Sequence, residues 1–350
     1  MRGRPISRDR DFNQFLKVLK RSGRPSYLPF YEHVANGKFI SDRMETDIQK
    51  LKGKEYWKVY TDFWLSFGFD CIPMEISLAV KRPKPRNASL YGTASHGSEA
   101  GACIETMEDF KRVGWPDASA PINFEPFAIV AGMLPPGVKI VGGVCAGPFE
   151  YATQALFGLM GLSYAMVDEP ETVDAVFAKL HELYVAAVKR LATMDAIGAC
   201  RQGDDLGFKT STFLPPPVLK KYIFPIYRDM AAAAHSGGKP FILHSCGDLK
   251  EVYEDIIGCG IDAKHSYEDQ IIPVQDFKRM YGKRITPLGG LDVDVICRSG
   301  EKELREYTRK AVAECFVDGF WALGTGNSLT PYMPVENYLT VLDEGMKATK

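Results

Sequence analysis

The sequence predicts an α/β fold, a (β/α)8 TIM barrel preceded by an N-terminal helical extension. Short apolar runs alternate with longer amphipathic stretches along most of the 350 residues, as expected for a parallel sheet covered by helices. The number of these units favours a closed barrel over an open doubly wound sheet. No G-x-G-x-x-G motif opens a helix after the first strand, which argues against a dinucleotide-binding fold.

The predicted elements fill a single domain, residues 1–350. Residues 1–68 form the extension, with amphipathic helices at 9–23 and 41–68 where apolar residues recur near helical spacing. Residues 69–345 form the barrel. Its predicted strands are 71–76, 139–144, 196–200, 241–243, 263–266, 285–288 and 320–323. The predicted helices between them include 172–194, 216–236, 249–259, 274–281 and 301–316.

Composition and charge argue against several classes of protein. Lys plus Arg number 43 against 44 Asp plus Glu, so there is no basic excess that would indicate a nucleic-acid partner. No apolar run reaches the ~20 residues needed to span a bilayer. The eight cysteines are scattered without a C-x-x-C pair, unlike a disulfide scaffold. The charged N-terminus lacks the apolar core of a signal peptide. We therefore expect a cytoplasmic protein.

The tripeptide His244-Ser-Cys246, at the end of a predicted strand, is the most informative motif. Residues two apart in an extended chain point to the same side, so the imidazole and the thiol converge. Nitrogen and sulfur ligands are typical of zinc, and the carboxyl ends of barrel strands form the active-site face. Two ligands do not complete a zinc site, so a buried cysteine beside a hydrogen-bonded histidine is an equal alternative.

Polar side chains follow most of the predicted strands. Since the strands of a barrel end at one mouth, we expect these side chains to form one concave polar site. Of two adjacent aspartates only one should face the mouth, and we assign that place to Asp205, although it could instead cap a helix. Asp292 could tie down its own loop. Residues 81–122, without a predicted element, are expected to cross the same mouth. The strand-end residues are Glu75, Glu150, Asp204, Asp205, His244, Cys246, His265, Tyr267, Glu268, Asp292, Thr325 and Asn327.

Several stretches together resemble the uroporphyrinogen decarboxylase superfamily. The resemblance extends over roughly residues 20–345 and is strongest in the C-terminal half. It implies a (β/α)8 barrel whose mouth holds a sizeable ligand. The matching stretches are Gly147-Pro-Phe149, Gly203-Asp-Asp-Leu-Gly207, His244-Ser-Cys-Gly247, Tyr281-Gly-Lys-Arg284 with Gly289-Gly-Leu-Asp292, and Pro334-Val-Glu-Asn337.

One chemistry of this superfamily is cofactor-free decarboxylation of uroporphyrinogen, a tetrapyrrole of the porphyrin type. The resemblance implies arginines on the carboxylates of that ligand and an aspartate under its pyrrole nitrogens. This chain departs from the pattern. Only Arg24 and Tyr27 remain of the N-terminal signature, Glu75 is out of register with the expected aspartate, and Thr325 stands where a histidine is expected. On this interpretation Arg24, Tyr27 and Asp205 would matter most.

The other chemistry is methyl transfer with zinc and corrinoid proteins, as in methylcobamide:coenzyme M methyltransferases. In those relatives a His-x-Cys and a later cysteine hold zinc, and His244 and Cys246 match the first two ligands. No cysteine follows the last predicted strand, so the resemblance implies a different third ligand. A His/Cys/carboxylate set is harder than His/Cys/Cys, which favours demethylation of a methoxy or methylamine-type donor. The candidates for the third ligand are Asp205, Glu150, Glu75 and His265.

We therefore expect a methyltransferase that moves a methyl group between a small methylated compound and a corrinoid protein, assisted by zinc. The alternatives are a tetrapyrrole decarboxylase without cofactor and a non-catalytic corrinoid- or tetrapyrrole-binding protein. Exposed barrel helices would allow a homodimer. The predicted metal ligands are His244 and Cys246, and the predicted catalytic residues are Asp205, Glu150 and Glu75. The predicted substrate-binding residues are Tyr27, Arg24, His265, Tyr267, Asn327 and Asp292.

Overall fold

A computed structural model describes residues 1–84 and 101–348 of the chain. Its main sheet has six parallel strands, and their order in the sheet is their order in the sequence. Consecutive parallel strands are what repeated βα units produce. The strands are β1 Cys71–Ser77, β2 Lys139–Cys145, β3 Ile197–Gly203, β4 Phe241–His244, β5 Ala263–His265 and β6 Thr286–Leu288. Six of the seven predicted strands are therefore present, with ends shifted by up to three residues.

Two further segments continue the sheet beyond β6. Ala322, in the seventh predicted strand, forms a parallel bridge with Leu288, and Leu323 forms one with Phe30. Within the described residues, no hydrogen-bonded ladder joins the segment around Phe30 to β1, so the sheet has a seam there. The segment around Phe30 lies in the N-terminal extension, which therefore contributes to the sheet as well as to the helices.

One cluster of buried apolar side chains fills the barrel interior. Each strand and each of the two extra segments contributes one side chain to it, and helix α1 (Phe12–Lys20) closes it from the amino-terminal side. This arrangement confirms the predicted α/β barrel fold. Because the amino-terminal end is filled with apolar side chains, the polar site lies at the other end. The strand residues of the cluster are Tyr31, Cys71, Val141, Ala199, Ile242, Ala263, Leu288 and Ala322.

The helices surround this sheet, and two of the long predicted ones are interrupted. The stretch 41–68 divides between a helix that ends at Met44 and one that begins at Gly53. The stretch 216–236 divides near Pro225, a residue that cannot donate within a continuous helix. None of the described helices is both long and apolar enough to span a bilayer. After α1 come α2 Gly37–Met44, α3 Gly53–Ser66, α4 Met107–Arg112, α5 Glu125–Ala131, α6 Pro148–Tyr151, α7 Leu159–Asp168, α8 Pro170–Ala192, α9 Pro216–Tyr222, α10 Phe224–Ser236, α11 Tyr253–Gly258, α12 Val274–Tyr281, α13 Val293–Arg298, α14 Glu301–Cys315 and α15 Val335–Lys347.

The predicted irregular segment, residues 81–122, is described only in part. Residues 85–100 lie outside the described residues. The rest contains α4, which begins with a capping box between Thr106 and Asp109, and Lys81 forms an antiparallel bridge with Gly114. The described part of this segment is therefore more regular than the sequence predicts.

A buried carboxylate joins the N-terminal extension to the last segment of the barrel. Glu32 is fully buried. Its Oε1 accepts from the amide of Thr325 at 2.7 Å and its Oε2 accepts from the hydroxyl of the same residue at 2.6 Å. The hydroxyl of Tyr338, on α15, donates to Oε1 at 3.0 Å. Burial raises the pKa of Glu32 to about 7, against these hydrogen bonds.

This raised pKa predicts a pH-dependent stability. Between pH 4.5, the ordinary pKa of the carboxyl, and about 7 the folded protein holds a proton that the unfolded chain releases. The free energy of unfolding should therefore fall as pH rises through that window, by on the order of 3 kcal/mol from this group. Glu32→Gln should remove this part of the slope, as urea unfolding at several pH values would show. Parallel pH profiles for both proteins would contradict the assignment.

Candidate metal centre and active site

Three side chains with metal-binding atoms meet at the carboxyl ends of β3 and β4. Asp205, His244 and Cys246 each offer one ligand atom, and the three atoms lie within 4.8 Å of one another. The Nε2 of His244 is 3.5 Å from Asp205 Oδ1 and 3.4 Å from Cys246 Sγ. No other group of this kind is present among the described residues. Asp205, one of four candidates from the sequence, thus lies where a third ligand is needed.

The surroundings of Cys246 are arranged around its sulfur. Ser266 donates its hydroxyl to Sγ at 3.1 Å, and Asn327 donates its side-chain amide at 3.3 Å. Burial, with the Asp205 carboxylate, raises the pKa of the Cys246 thiol. In the absence of a cation the sulfur is therefore a thiol, and a divalent cation would supply the missing positive charge. A donor set of nitrogen, sulfur and carboxylate oxygen fits Zn²⁺.

Ser266 was not singled out in the sequence, and its backbone is unusual. Its φ is 87°, a region that costs a residue with a Cβ on the order of 1–3 kcal/mol. The buried Lys264 lies next to it and donates to the carbonyls of Ser245 at 3.2 Å, His265 at 3.3 Å and Ser266 at 2.7 Å. This lysine therefore ties together the ends of β4 and β5. Burial lowers its pKa to about 8.

Three buried histidines are stacked at this candidate metal site, and His244 is one of them. His244 and His265 are paired in register across β4 and β5, and their Nδ1 atoms are 2.7 Å apart. His265 Nε2 is 3.0 Å from the carbonyl oxygen of Thr325. His33, which the sequence analysis missed, stacks on His244 with ring centroids 3.9 Å apart. Burial, with nearby cations, lowers the pKa of His244 to about 3, so its ring is neutral at neutral pH.

A buried ion pair lies beside these rings. Glu75 Oε1 is 3.1 Å from Arg201 Nη2 and 3.3 Å from His33 Nε2. Arg201 also donates to the backbone carbonyl of His33. Burial raises the pKa of Glu75, while Arg201 opposes that shift. Glu75 was predicted to be catalytic, and the structure places it in this ion pair, outside the metal-binding group.

The aspartate pair Asp204 and Asp205 divides into two functions. Asp204 is buried and caps α6, since it accepts from the amides of Phe149 at 3.1 Å and Glu150 at 2.8 Å. Gly147 is required for this approach, because a Cβ there would lie 2.1 Å from Asp204 Cβ. Asp205 is the member whose carboxylate lies beside His244 and Cys246. Adjacent residues on an extended chain point to opposite sides, which explains the division.

Glu150 borders a cavity of about 320 Å³ that also reaches Asp205. Burial, with the neighbouring carboxylates of Asp204 and Asp205, raises the pKa of Glu150 to about 8. Its Oε1 accepts from the side-chain amide of Gln154 at 3.1 Å. A carboxyl group that keeps its proton near neutral pH can act as a general acid. The other lining residues are Phe149, Thr153, Leu159, Gly207 and Phe213.

A larger cavity of about 830 Å³ lies near the same group of side chains. Three predicted substrate-binding residues line it, namely Tyr267, Asp292 and Asn327, and Asn327 connects it to the sulfur of Cys246. Asp292 also caps α13 by accepting from the amides of Asp294 and Val295. The simpler explanation offered from the sequence was that Asp292 ties down its own loop; the structure gives it a helix-capping role together with its place at the cavity.

Tyr27 and Arg24 are not brought to this site. The hydroxyl of Tyr27 donates to Asp70 at 2.8 Å, and Asp70 immediately precedes β1. Arg24 donates to the carbonyl of Val317 at 2.7 Å, ahead of the last barrel segment. Both residues therefore lie at the amino-terminal ends of the strands, opposite the candidate metal site.

Comparisons with known proteins agree with this architecture. The profile of the uroporphyrinogen decarboxylase (URO-D) family matches residues 58–346. No curated protein matches the chain. Among solved structures, a methyltransferase from Methanosarcina mazei is similar with a TM-score of 0.69 at 14% identity, covering 97% of this chain and 99% of the other. Xylanase B from Clostridium stercorarium F9 has a TM-score of 0.37 at 9% identity, over 70% of this chain and 88% of its own, which is too weak to carry an argument.

Proposed function

Because the chain belongs to the uroporphyrinogen decarboxylase family, we propose that it serves the methyl-transfer chemistry of that superfamily. It would move a methyl group between a small methylated compound and a corrinoid protein, with zinc held by Asp205, His244 and Cys246. The convergence of these three ligand atoms at the barrel mouth is the observation that carries the proposal. The Methanosarcina mazei structure is described as a methyltransferase, which supports the choice of reaction class.

The donor set favours a methyl donor with an oxygen or nitrogen leaving group. Zinc bound there would supply Lewis acidity toward that leaving atom. A carboxylate ligand makes the site harder than one with two thiolates, and Asp205 takes that position. Hydrogen bonds from Ser266 and Asn327 to the sulfur hold Cys246 in place. We therefore favour demethylation of a methoxy or methylamine-type compound.

The two cavities suggest separate places for the reactants. We place the methyl donor in the cavity of about 320 Å³, because it is small, partly lined by Phe149 and Phe213, and reaches both Asp205 and Glu150. The larger cavity is left for the methyl acceptor, a reduced corrinoid carried by the partner protein. A reduced corrinoid would supply the electron pair that takes up the methyl group. With a methoxy donor the pair of the broken carbon–oxygen bond would stay on the leaving oxygen, to which Glu150 would give its proton.

The decarboxylase alternative receives less support from the geometry. A tetrapyrrole with several acidic arms needs fixed cations, and Arg24 and Tyr27 lie at the opposite end of the barrel. Carboxylates outnumber cations around the larger cavity, where four acidic side chains face Lys209 and Arg298. The four acidic residues are Glu268, Asp269, Asp292 and Asp294. A binding protein without catalytic activity would share the ligand site but show no turnover.

Metal content tests the proposal directly. Wild-type protein purified without chelators should hold zinc in a one-to-one ratio, and His244→Ala and Cys246→Ser should lose it, because each removes a ligand atom. Elemental analysis measures this, and Cys145→Ser, a free thiol at the end of β2, is the matched control that should keep its zinc. Methylation of a reduced corrinoid, followed by its absorbance, tests the reaction.

Two outcomes would contradict the proposal. Chelator-free wild-type protein without stoichiometric zinc would remove its basis. Decarboxylation of a porphyrinogen by metal-free protein would instead establish the alternative.

A further inference from the structure

We propose that His265 is a positioning residue that selects the tautomer of His244, so that the bare Nε2 of His244 faces Asp205 and Cys246. The inference rests on the proposed metal site, but it concerns a residue that offers no ligand atom to the cluster. From the sequence, His265 was a candidate third ligand or substrate contact. In the structure His265 instead contacts Nδ1 of His244, whereas Asp205 and Cys246 lie near Nε2.

The direction of these hydrogen bonds follows from the contact between His265 and Thr325. His265 Nε2 is 3.0 Å from the carbonyl oxygen of Thr325, and a carbonyl oxygen can only accept. Nε2 of His265 must therefore carry the hydrogen. A neutral imidazole has one N–H group, so Nδ1 of His265 is then an acceptor.

That acceptor determines the state of His244. The two Nδ1 atoms are 2.7 Å apart, a distance at which one of them must donate. Since His265 Nδ1 accepts, His244 Nδ1 donates, and His244 Nε2 is left with its lone pair. This nitrogen is the one that lies 3.5 Å from Asp205 Oδ1 and 3.4 Å from Cys246 Sγ. A metal-binding histidine commonly donates its second nitrogen to an acceptor that fixes its orientation.

The surroundings keep both rings neutral and in place. Both rings are buried, which disfavours a charged ring, and the ammonium of Lys264 already lies beside His265, since it donates to the carbonyl of that residue at 3.3 Å. The carbonyl that anchors His265 belongs to Thr325, whose amide and hydroxyl are both bound by Glu32. Glu32 therefore holds Thr325 in place, and the carbonyl of Thr325 holds the ring of His265. His265 in turn orients His244.

Nuclear magnetic resonance of ¹⁵N-histidine-labelled protein tests the tautomers without any metal. The chain has six histidines, so long-range ¹H–¹⁵N spectra of the metal-free wild type are tractable, with single substitutions for assignment. We expect His244 as the Nδ1–H tautomer and His265 as the Nε2–H tautomer. His244 found as the Nε2–H tautomer would overturn the inference, whatever the protein's activity.

Two substitutions of His265 distinguish its role as a hydrogen-bond acceptor from a role in packing alone. In His265→Asn the side-chain oxygen can replace Nδ1 as the acceptor for His244, whereas in His265→Gln the longer amide reaches toward Thr325 instead. Zinc affinity, measured by competition with a chromogenic chelator, should fall about 10–100-fold in His265→Gln. It should fall clearly less in His265→Asn. Equal losses in the two variants would assign His265 to packing alone and refute the inference.

The outcome is distinguishable from failure of the proposed function. If the wild type binds no zinc, the proposed function fails while the spectra still decide the tautomers. If the wild type binds zinc and both variants retain full affinity, the proposed function stands and the role of His265 is refuted. Cobalt-substituted protein adds a spectroscopic signature, because a misoriented His244 should weaken the absorption of the cobalt–ligand set.

Discussion

Glu150→Gln is expected to lower the kcat for methyl transfer from a methoxy donor by about 10²–10⁴-fold, the usual contribution of a general acid. Burial and two neighbouring carboxylates raise the pKa of Glu150 to about 8, so the group carries its proton under neutral conditions. Glutamine keeps the shape and the hydrogen bond to Gln154 but cannot give up a proton to a leaving oxygen. Steady-state kinetics with a reduced corrinoid as acceptor would measure the loss.

The sign of the pH dependence follows from the same pKa. In the proposed mechanism the protonated form is the active one, so wild-type kcat should be level below about pH 8 and fall as pH rises through that value. Glu150→Gln should lack this decline. An aryl methyl ether with a nitro substituent provides a matched control, because its phenolate leaves without a proton. With that donor the kcat of Glu150→Gln should be close to that of the wild type. An equal loss of kcat with both donors would contradict the assignment of Glu150 as the general acid.

The sequence predicted the part of the site that depends on local periodicity. His244 and Cys246 converge because they are two apart at a strand end, and Asp205 faces them because its neighbour Asp204 must point away. The absence of a later cysteine led to a carboxylate as one candidate for the third ligand, and the structure brings Asp205 to that position. The convergence of His244 with Cys246 and the orientation of Asp205 needed only strand geometry and the barrel topology, whereas the expectation of a third ligand came from the resemblance to the superfamily.

The residues behind the ligands could not be predicted in the same way. His33 and Glu32 come from the extension, and nothing local to them indicates that they pack beneath a strand more than 200 residues later. Arg201 follows the apolar stretch predicted as a strand, residues 196–200, and its contact with Glu75 is seen only in the folded chain. Long-range pairing of buried polar groups is a property of the folded chain, whereas periodicity is a property of each segment.

Tyr27 and Arg24 show a related difficulty. A motif shared with relatives shows the order of residues along the chain. It does not show which end of the barrel the N-terminal extension reaches at each position. The extension in this protein fills the amino-terminal end with α1 and then enters the sheet near Phe30. Tyr27 therefore meets Asp70 before the chain reaches the barrel mouth. The polar residue that the extension does bring close to the candidate metal site is His33, a few positions later, whose ring stacks on His244.

Arg201→Met is expected to lower the free energy of unfolding by about 3–5 kcal/mol, because it leaves the Glu75 carboxylate buried without its partner. Arg201 is 1% exposed, and its Nη2 is 3.1 Å from Glu75 Oε1. It also donates to the carbonyl of His33, the residue whose ring stacks on His244. The same change should therefore weaken zinc binding. Urea unfolding and chelator competition measure the two effects.

The double variant Arg201→Met with Glu75→Gln separates loss of the ion pair from loss of packing. Once the carboxylate is neutral, the penalty for an unpaired buried charge disappears, so the double variant should be more stable than Arg201→Met alone. If the effects of the two substitutions on the free energy of unfolding are instead additive, the charges are not coupled. Arg201 then contributes to stability mainly through its volume. Buried pairs are often no more stable than well-packed apolar replacements, so the reason to keep this one would lie with His33 and the metal centre above it. A double variant that regains stability but not zinc affinity is the result expected from that argument.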